Sequence, residues 1–235
     1  MTDAELFETL RGVSVDSAWS SLAALGFADT FVQGLACLHP DKKMVGRVIT
    51  MKYLPARSDL VETLRIRERG MGNNVGPKNA KPGDVLVIDA CGISNGGAFG
   101  DILVAGFQAN GGAGIVIYGA MRDLSALRKM TTPIYYTATH AAGSRGMMCV
   151  DFNVPVNCAG VAVVPGDIAL GDAEGVLIIP AHVAEQVAVS AAALEDKENF
   201  VRAKIESGEA SVEDAYPMSP RLQAEYAAQK KKPAP

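Results

Sequence analysis

Two residue pairs, Gly100-Asp101 and Arg122-Asp123, hold the groups in this chain best suited to chemistry. A glycine and an aspartate opening a helix leave first-turn backbone N–H groups without intrahelical acceptors, an end that favours a carboxylate or phosphate. Arginine offers a planar, two-pronged donor to a carboxylate, and an adjacent aspartate is a hard oxygen ligand for a divalent cation. The same residues also fit a plain helix cap and a surface turn carrying a weak ion pair.

The elements that must position them lie in GGAFGDILVAGFQANGGAGIVIYGAMRD, residues 96–123. This stretch reads as a glycine-rich turn, a short helix, a second glycine turn and a buried strand. Ile102, Leu103, Gly106 and Phe107 recur at helical spacing, whereas Ile115 to Tyr118 is a β-branched run. In an α/β layout Arg122 and Asp123 follow the carboxyl end of their strand, the edge at which ligands bind. Gly111, Gly112 and Gly114 do not form a dinucleotide fingerprint, because they precede a strand instead of following one.

Around this stretch the pattern alternates strands and helices, which sets the class as α/β. Thr2 and Glu5 form a capping-box pattern for a first helix, and Asp16 is placed to cap a second over Ser17 to Leu25. Val45 to Leu54 reads as a strand with Val48, Thr50 and Lys52 on one face. A desolvated lysine forms Schiff bases, but Lys52 is expected at the sheet rim with its ammonium in water. Asp59 to Arg69 reads as a helix, residues 70–83 as a loop, and Pro133 to Thr137, Gly160 to Val164 and Val176 to Ile179 as strands. PGDVLVIDACG (82–92) is echoed by PGDIALGDAEG (165–175), each a turn, a strand and a turn. Ala181 to Ser207 reads as one helix of about 40 Å at 1.5 Å per residue, stopped by Gly208, with its acidic residues solvated. QKKKPAP (229–235) is expected to be disordered.

The 235 residues carry a net charge of −4, which offers no basic field to nucleic acid or an anionic membrane. Cys37, Cys91, Cys149 and Cys158 show no CxxC spacing and His39, His140 and His182 no paired spacing, so neither a structural zinc site nor a disulfide framework is expected. With no signal-like or membrane-length apolar run, the expectation is a soluble, cytoplasmic protein.

The joined motifs GDILVAGFQANGGAGIVIYGAMRD, PGDVLVID and VPVNCAGVAVVPGDIALGDAEGVLIIP resemble the signature of the RraA-like family over about residues 15–180. That family includes 4-hydroxy-4-methyl-2-oxoglutarate/4-carboxy-4-hydroxy-2-oxoadipate aldolases, regulators of ribonuclease E, and chains once labelled demethylmenaquinone methyltransferases. The resemblance implies a swivelling β/β/α domain over residues 1–180 with N-terminal helices, a C-terminal helical arm over 181–228, and assembly as a homotrimer or homohexamer. It implies a lyase that cleaves a 4-hydroxy-2-oxo di- or tricarboxylic acid to pyruvate and a second oxo acid, with oxaloacetate decarboxylation as a side activity. By motif position, Gly100, Asp101, Ile102 and Leu103 would cradle the substrate carboxylate, Arg122 would grip carboxylate and oxo oxygen, and Asp123 would bind Mg²⁺ or Mn²⁺. Glu198, in a Lys197-Glu198 pair on the long helix, would reach a neighbouring subunit's site, and either Asp101 or Glu198 would act as base.

The alternative is a non-catalytic regulator that binds a ribonuclease or RNA helicase; in such regulators the helical arm is expected to be missing. A methyltransferase lacks support, because no glycine-rich loop follows a first strand. Tyr135 to Met148 and Asp16 to Trp19 depart from the family pattern, and both segments could line the site and alter its substrate.

Overall fold

The computed structural model describes residues 1–144 and 146–230. Helix α1 (Asp3–Arg11) starts from the expected capping box, in which Thr2 and Glu5 satisfy each other's amides. Helix α2 (Val15–Ala23) starts earlier than expected, and its cap is Ser14, not Asp16. Ser14 Oγ accepts from the Ser17 amide while donating to Glu195 Oε2 at 2.7 Å, and the Ser17 hydroxyl donates to the same oxygen at 2.9 Å. A hydroxyl can accept and donate at once, whereas a carboxylate such as Asp16 can only accept. Glu195 is therefore tied to α2 instead of being solvated. Burial opposes its ionisation, but the Ser14 and Ser17 hydrogen bonds outweigh that and hold the carboxyl below its ordinary value.

Two short strands, β1 (Phe31–Val32) and β2 (Ala36–Cys37), precede the long β3 (Met44–Pro55). The next helix, α3 (Ser58–Thr63), is shorter than its sequence pattern, because none of its residues is buried and nothing holds a continuous helix. Arg65 takes a positive φ of 50°, and Arg69 turns away to pair with Asp151. Inside the expected loop lies a short helix, α4 (Val75–Asn79), anchored by buried Val75, Gly76 and Pro77.

The chain then runs through β4 (Asp84–Asp89), β5 (Gly97–Phe99), α5 (Asp101–Ala109), β6 (Gly114–Met121), α6 (Leu124–Leu127) and β7 (Ile134–Thr139). Strands β3, β4, β6 and β7 are parallel neighbours. Strands β8 (Met147–Phe152), β9 (Val156–Cys158), β10 (Val161–Val163), β11 (Ile168–Gly171) and β12 (Val176–Ile179) follow. The main sheet has the order β1-β12-β11-β3-β4-β6-β7-β2, with β5 on β6 and β8 on β3, while β9 and β10 form a separate hairpin. The two echoed segments therefore play different parts. The first supplies a parallel crossover strand, β4, and the second supplies β11 of an antiparallel pair with β12.

Strand β3 joins the two halves. Met44 to Arg47 pair with β11, Met51 to Pro55 with β8, and Arg47 to Lys52 along the other edge with β4. On one face of the parallel strands, Leu86, Ile88, Ile115 and Ile117 bury against Val104 and Phe107 of α5 and Leu127 of α6. On the other, Val85, Val87 and Val116 meet Val156, Val161 and Val163 of the hairpin. Helices α1 and α2 cover the antiparallel strands together with the start of α7 (Ala184–Glu206), through Leu10, Leu22, Val187 and Ala191.

The far half of α7 finds a partner that its sequence pattern did not disclose. Helices α8 (Val212–Ala215) and α9 (Pro220–Lys230) fold back so that Ala215, Met218 and Leu222 pack on Phe200, Val201 and Ile205. Gln229 and Lys230, expected in the tail, belong to α9, and Lys230 Nζ lies 2.8 Å from Asp196; residues 231–235 lie outside the described residues. Among the described residues no helix is long and apolar enough to cross a membrane, and the four cysteines are free.

Candidate active site

The expected glycine turn before α5 contains β5, which the sequence did not announce. It lies parallel to β6, and Phe99 O accepts from the Arg122 amide at 3.1 Å, so Gly100 arrives beside the end of β6. Gly100 is the N-cap of α5 in an extended conformation (φ −138°), and its glycine identity is a matter of space. A Cβ there would sit 2.4 Å from Asp123 Oδ2 and 3.0 Å from Arg122 Nε. Asp123 follows in the left-handed region (φ 63°), which aspartate tolerates better than most residues, and it starts α6.

One cavity of about 150 Å³ is lined by Gly100, Asp101, Ile102, Leu103 and Arg122, with Gly97, Asn73, Gly143 and Ser144 completing the wall. Arg122 Nε lies 3.2 Å from Asp123 Oδ2, and the Asp101 amide approaches the same oxygen at 3.4 Å. The Ile102 amide donates to Asp101 Oδ1 at 2.8 Å. The start of α5 is thus already turned towards carboxylates, its own, as the partial positive charge of a helix N-terminus dictates. Ile102, which lines this cavity, is 77% exposed.

Among the described residues no three His, Cys, Asp or Glu side chains converge as a metal cage. A single carboxylate nonetheless suits a hard cation that keeps waters and takes further oxygens from its substrate, as Mg²⁺ does, and does not suit zinc. Asp123 fits that pattern. Its Oδ2 takes both protein contacts, which leaves Oδ1 without a protein partner among the described residues.

Glu198 is not brought to this cavity within one chain. It lines a separate groove of about 870 Å³ with Leu194, Lys197, Val201, Tyr216 and Met218. Asp16 and Trp19 also lie elsewhere, in a cleft with Asp29, Gln33 and Glu174. Of the two segments that depart from the family pattern, only the later one reaches the cavity, through Gly143 and Ser144.

Sequence reasoning missed Asn73, and reached Ser144 only as one member of the Tyr135 to Met148 segment. The Tyr53 hydroxyl donates to Asn73 Oδ1 at 3.2 Å, and Asn73 Nδ2 donates to Ser144 Oγ at 3.1 Å. Tyr53 is wholly buried, and burial pushes its phenol well above the ordinary range, so it remains a donor. No local periodicity singles out either residue, since both lie in irregular segments.

The family model for RraA-like proteins, described as Aldolase/RraA, matches residues 20–178. A Halalkalibacterium halodurans protein named "Putative 4-hydroxy-4-methyl-2-oxoglutarate aldolase" is 36% identical over 142 residues, 59% of this chain and 68% of that protein. A Xanthomonas campestris protein of the same name is 38% identical over 108 residues, 45% of this chain and 65% of that one. The chain thus matches about two thirds of the length of these relatives. The crystal structure of Streptomyces coelicolor RraAS2, described as an unusual member of the RNase ES inhibitor RraA protein family, superposes with a TM-score of 0.75 at 32% identity. That match covers 87% of this chain and all of that one. Together with the mixed α/β architecture, its N-terminal helices and its long α7, these likenesses show that the chain belongs to the RraA-like family.

Proposed function

We propose that this protein is a divalent-metal-dependent lyase of the cytosol that cleaves a 4-hydroxy-2-oxo di- or tricarboxylic acid to pyruvate and a second oxo acid. The observation that carries the reading is the convergence of the Arg122 guanidinium and the first turn of α5 on one small cavity, with the Asp123 carboxylate set directly behind them against Arg122 Nε and the Asp101 amide. The relatives named as aldolases support the same reaction class.

In this reading the amides of α5 and the Arg122 fork hold the substrate's 1-carboxylate, and Arg122 also donates to the 2-oxo oxygen. A base takes the proton from the C4 hydroxyl. Asp101 stands at the cavity, and Glu198 would come from a neighbouring subunit of a homotrimer or homohexamer. The C4–O pair then becomes a carbonyl, the C3–C4 bond breaks, and its electrons move into the 2-oxo group to give pyruvate enolate. Arg122 stabilises the oxyanion as its charge develops, which is where preorganised donors contribute most. Asp123 would hold Mg²⁺ or Mn²⁺, which when bound supplies Lewis-acid polarisation of the oxo oxygen. The same residues would stabilise the enolate left by decarboxylation of oxaloacetate.

A second reading, regulation of a ribonuclease or RNA helicase, is favoured by the likeness to RraAS2. The helical arm does not separate the two readings: an alignment over 87% of this chain cannot fit within its first 180 residues. The test is a pyruvate-release assay over a panel of 4-hydroxy-2-oxo diacids and oxaloacetate, with Mg²⁺ and with a chelator. Turnover that the chelator abolishes is expected. A pure oligomeric protein with no turnover on any member would overturn the enzyme reading.

A further inference from the structure

The polar chain from Tyr53 through Asn73 to Ser144 has a direction. Asn73 Oδ1 is taken by the Tyr53 hydroxyl, so the amide is oriented with its nitrogen towards Ser144. Ser144 Oγ therefore receives a hydrogen bond, and its own proton is left to donate. Among the described residues it has no acceptor. The loop that carries Ser144 is fixed on both sides. The Gly97 amide donates to Ala142 O at 2.8 Å, Gly97 and Gly143 form a β-bridge, and the Ala56 amide donates to Gly146 O at 2.7 Å.

Arg122 relates this wall to the helix terminus. Its Nε end lies against Gly100, whereas a Cβ at Gly143 would stand 3.4 Å from its Nη1. A substrate whose 1-carboxylate sits at the start of α5, on the Gly100 side of Arg122, would extend past Nη1 towards Gly143 and Ser144. Resting on the aldolase reading above, we propose that Ser144 is a specificity-determining residue. Its hydroxyl donates to the carboxylate at the far end of a 2-oxo diacid, and Tyr53 and Asn73 position it. A hydrogen bond to a charged acceptor is strong enough to discriminate a terminal carboxylate from a methyl group.

The test compares two substrates that differ only at that end, 4-hydroxy-2-oxoglutarate and 4-hydroxy-2-oxopentanoate, by kcat/KM for pyruvate release with Mg²⁺. Ser144→Ala should lower the diacid-to-monoacid ratio by about tenfold, the scale of one charge-assisted hydrogen bond. Ser144→Thr should restore most of it, and Tyr53→Phe should lower it by about threefold. Ser144 lies on a partly exposed loop, so its truncation leaves the core intact even if Tyr53→Phe fails to fold. A ratio within twofold of wild type in Ser144→Ala, or an equal loss on both substrates, overturns the proposal. If the wild type turns over neither these two substrates nor any member of the wider panel, the aldolase reading fails by itself. Calorimetric titration with 2-oxoglutarate and 2-oxopentanoate then decides the binding role. A preference for the diacid that vanishes in Ser144→Ala supports it; no preference, or one that survives the substitution, overturns it.

Discussion

Replacing Gly100 with alanine isolates the contact on which the candidate site depends. The backbone has no objection, because φ is −138° and alanine adopts that conformation freely. The obstacle is the Cβ, which would stand 2.4 Å from Asp123 Oδ2 where ordinary contact begins near 3.4 Å. The carboxylate must retreat by about 1 Å, and a displacement of that size in reacting geometry costs on the order of a hundredfold in rate, about 2.7 kcal/mol. Asp123 is partly exposed and can swing outwards, so the stability cost falls at the low end of overpacking, about 1 kcal/mol, or roughly 2–4 °C in Tm. Gly106→Ala is the matched control on the same helix, since its Cβ would find only Pro77 at 3.9 Å. That variant should gain about 0.5–1 kcal/mol from helix propensity and keep wild-type kcat/KM. Pyruvate-release kinetics and thermal melts on both variants decide the matter. A Gly100→Ala enzyme within tenfold of wild type would refute the argument that Asp123 must sit where it does.

Four further outcomes are expected. Asp123→Asn keeps the shape and tolerates the positive φ but loses the charge, so Mg²⁺-dependent pyruvate release should disappear while Tm changes little; undiminished Mg²⁺-dependent turnover would exclude Asp123 as the ligand. Arg122→Lys loses the two-pronged donor and should lower kcat/KM by more than tenfold, and a smaller change in steady-state kinetics would rule out the clamp. Glu198→Ala and Arg122→Ala, each inactive alone, should restore turnover when co-expressed in one doubly tagged oligomer, and a dead mixed oligomer of folded subunits removes the shared site. His39 is buried and neither ring nitrogen has a well-formed hydrogen bond; burial, then Lys42, push its pKa below the ordinary 6.5 against weaker support from the backbone carbonyl of Arg128, the charge of Asp41 and the backbone carbonyl of Leu127. The unfolded chain then binds the proton more readily, so stability is full above about pH 6.5 and falls as the pH drops from there towards the folded-state value. His39→Leu should flatten that slope in melts between pH 7.5 and 5.5, and an unchanged slope would place its origin elsewhere.

The residues most legible in the sequence were those whose local environment is decided by near neighbours. The Thr2 cap, the start of α5, the run of β6 into Arg122-Asp123 and the limits of β12 all follow from spacing within one element. What escaped was set by distant partners. Ser14 outcompetes Asp16 as a cap because Glu195, far along the chain, needs donors. Strand β5 is a short glycine-containing segment that becomes a strand only because β6 is beside it. Helix α3 stops early for want of a buried face, and the apolar stripe of α7 is satisfied by α8 and α9. Asn73, before β4, and Ser144, after β7, meet in the cavity wall, a proximity that periodicity cannot report.

Strand β3 also sets a timetable for the newborn chain. Its parallel neighbour β4 is synthesised soon after it, but β8 and β11, which close its other edge, emerge roughly a hundred residues later. At about 5–20 residues per second, that edge stands open for roughly 5–25 s, long enough for an unpaired strand to recruit the wrong partner. A ribosome stalled before Ile168 would therefore present not a smaller domain but a sheet with one raw side. Chaperone demand during synthesis should peak in that interval and fall once β11 is out.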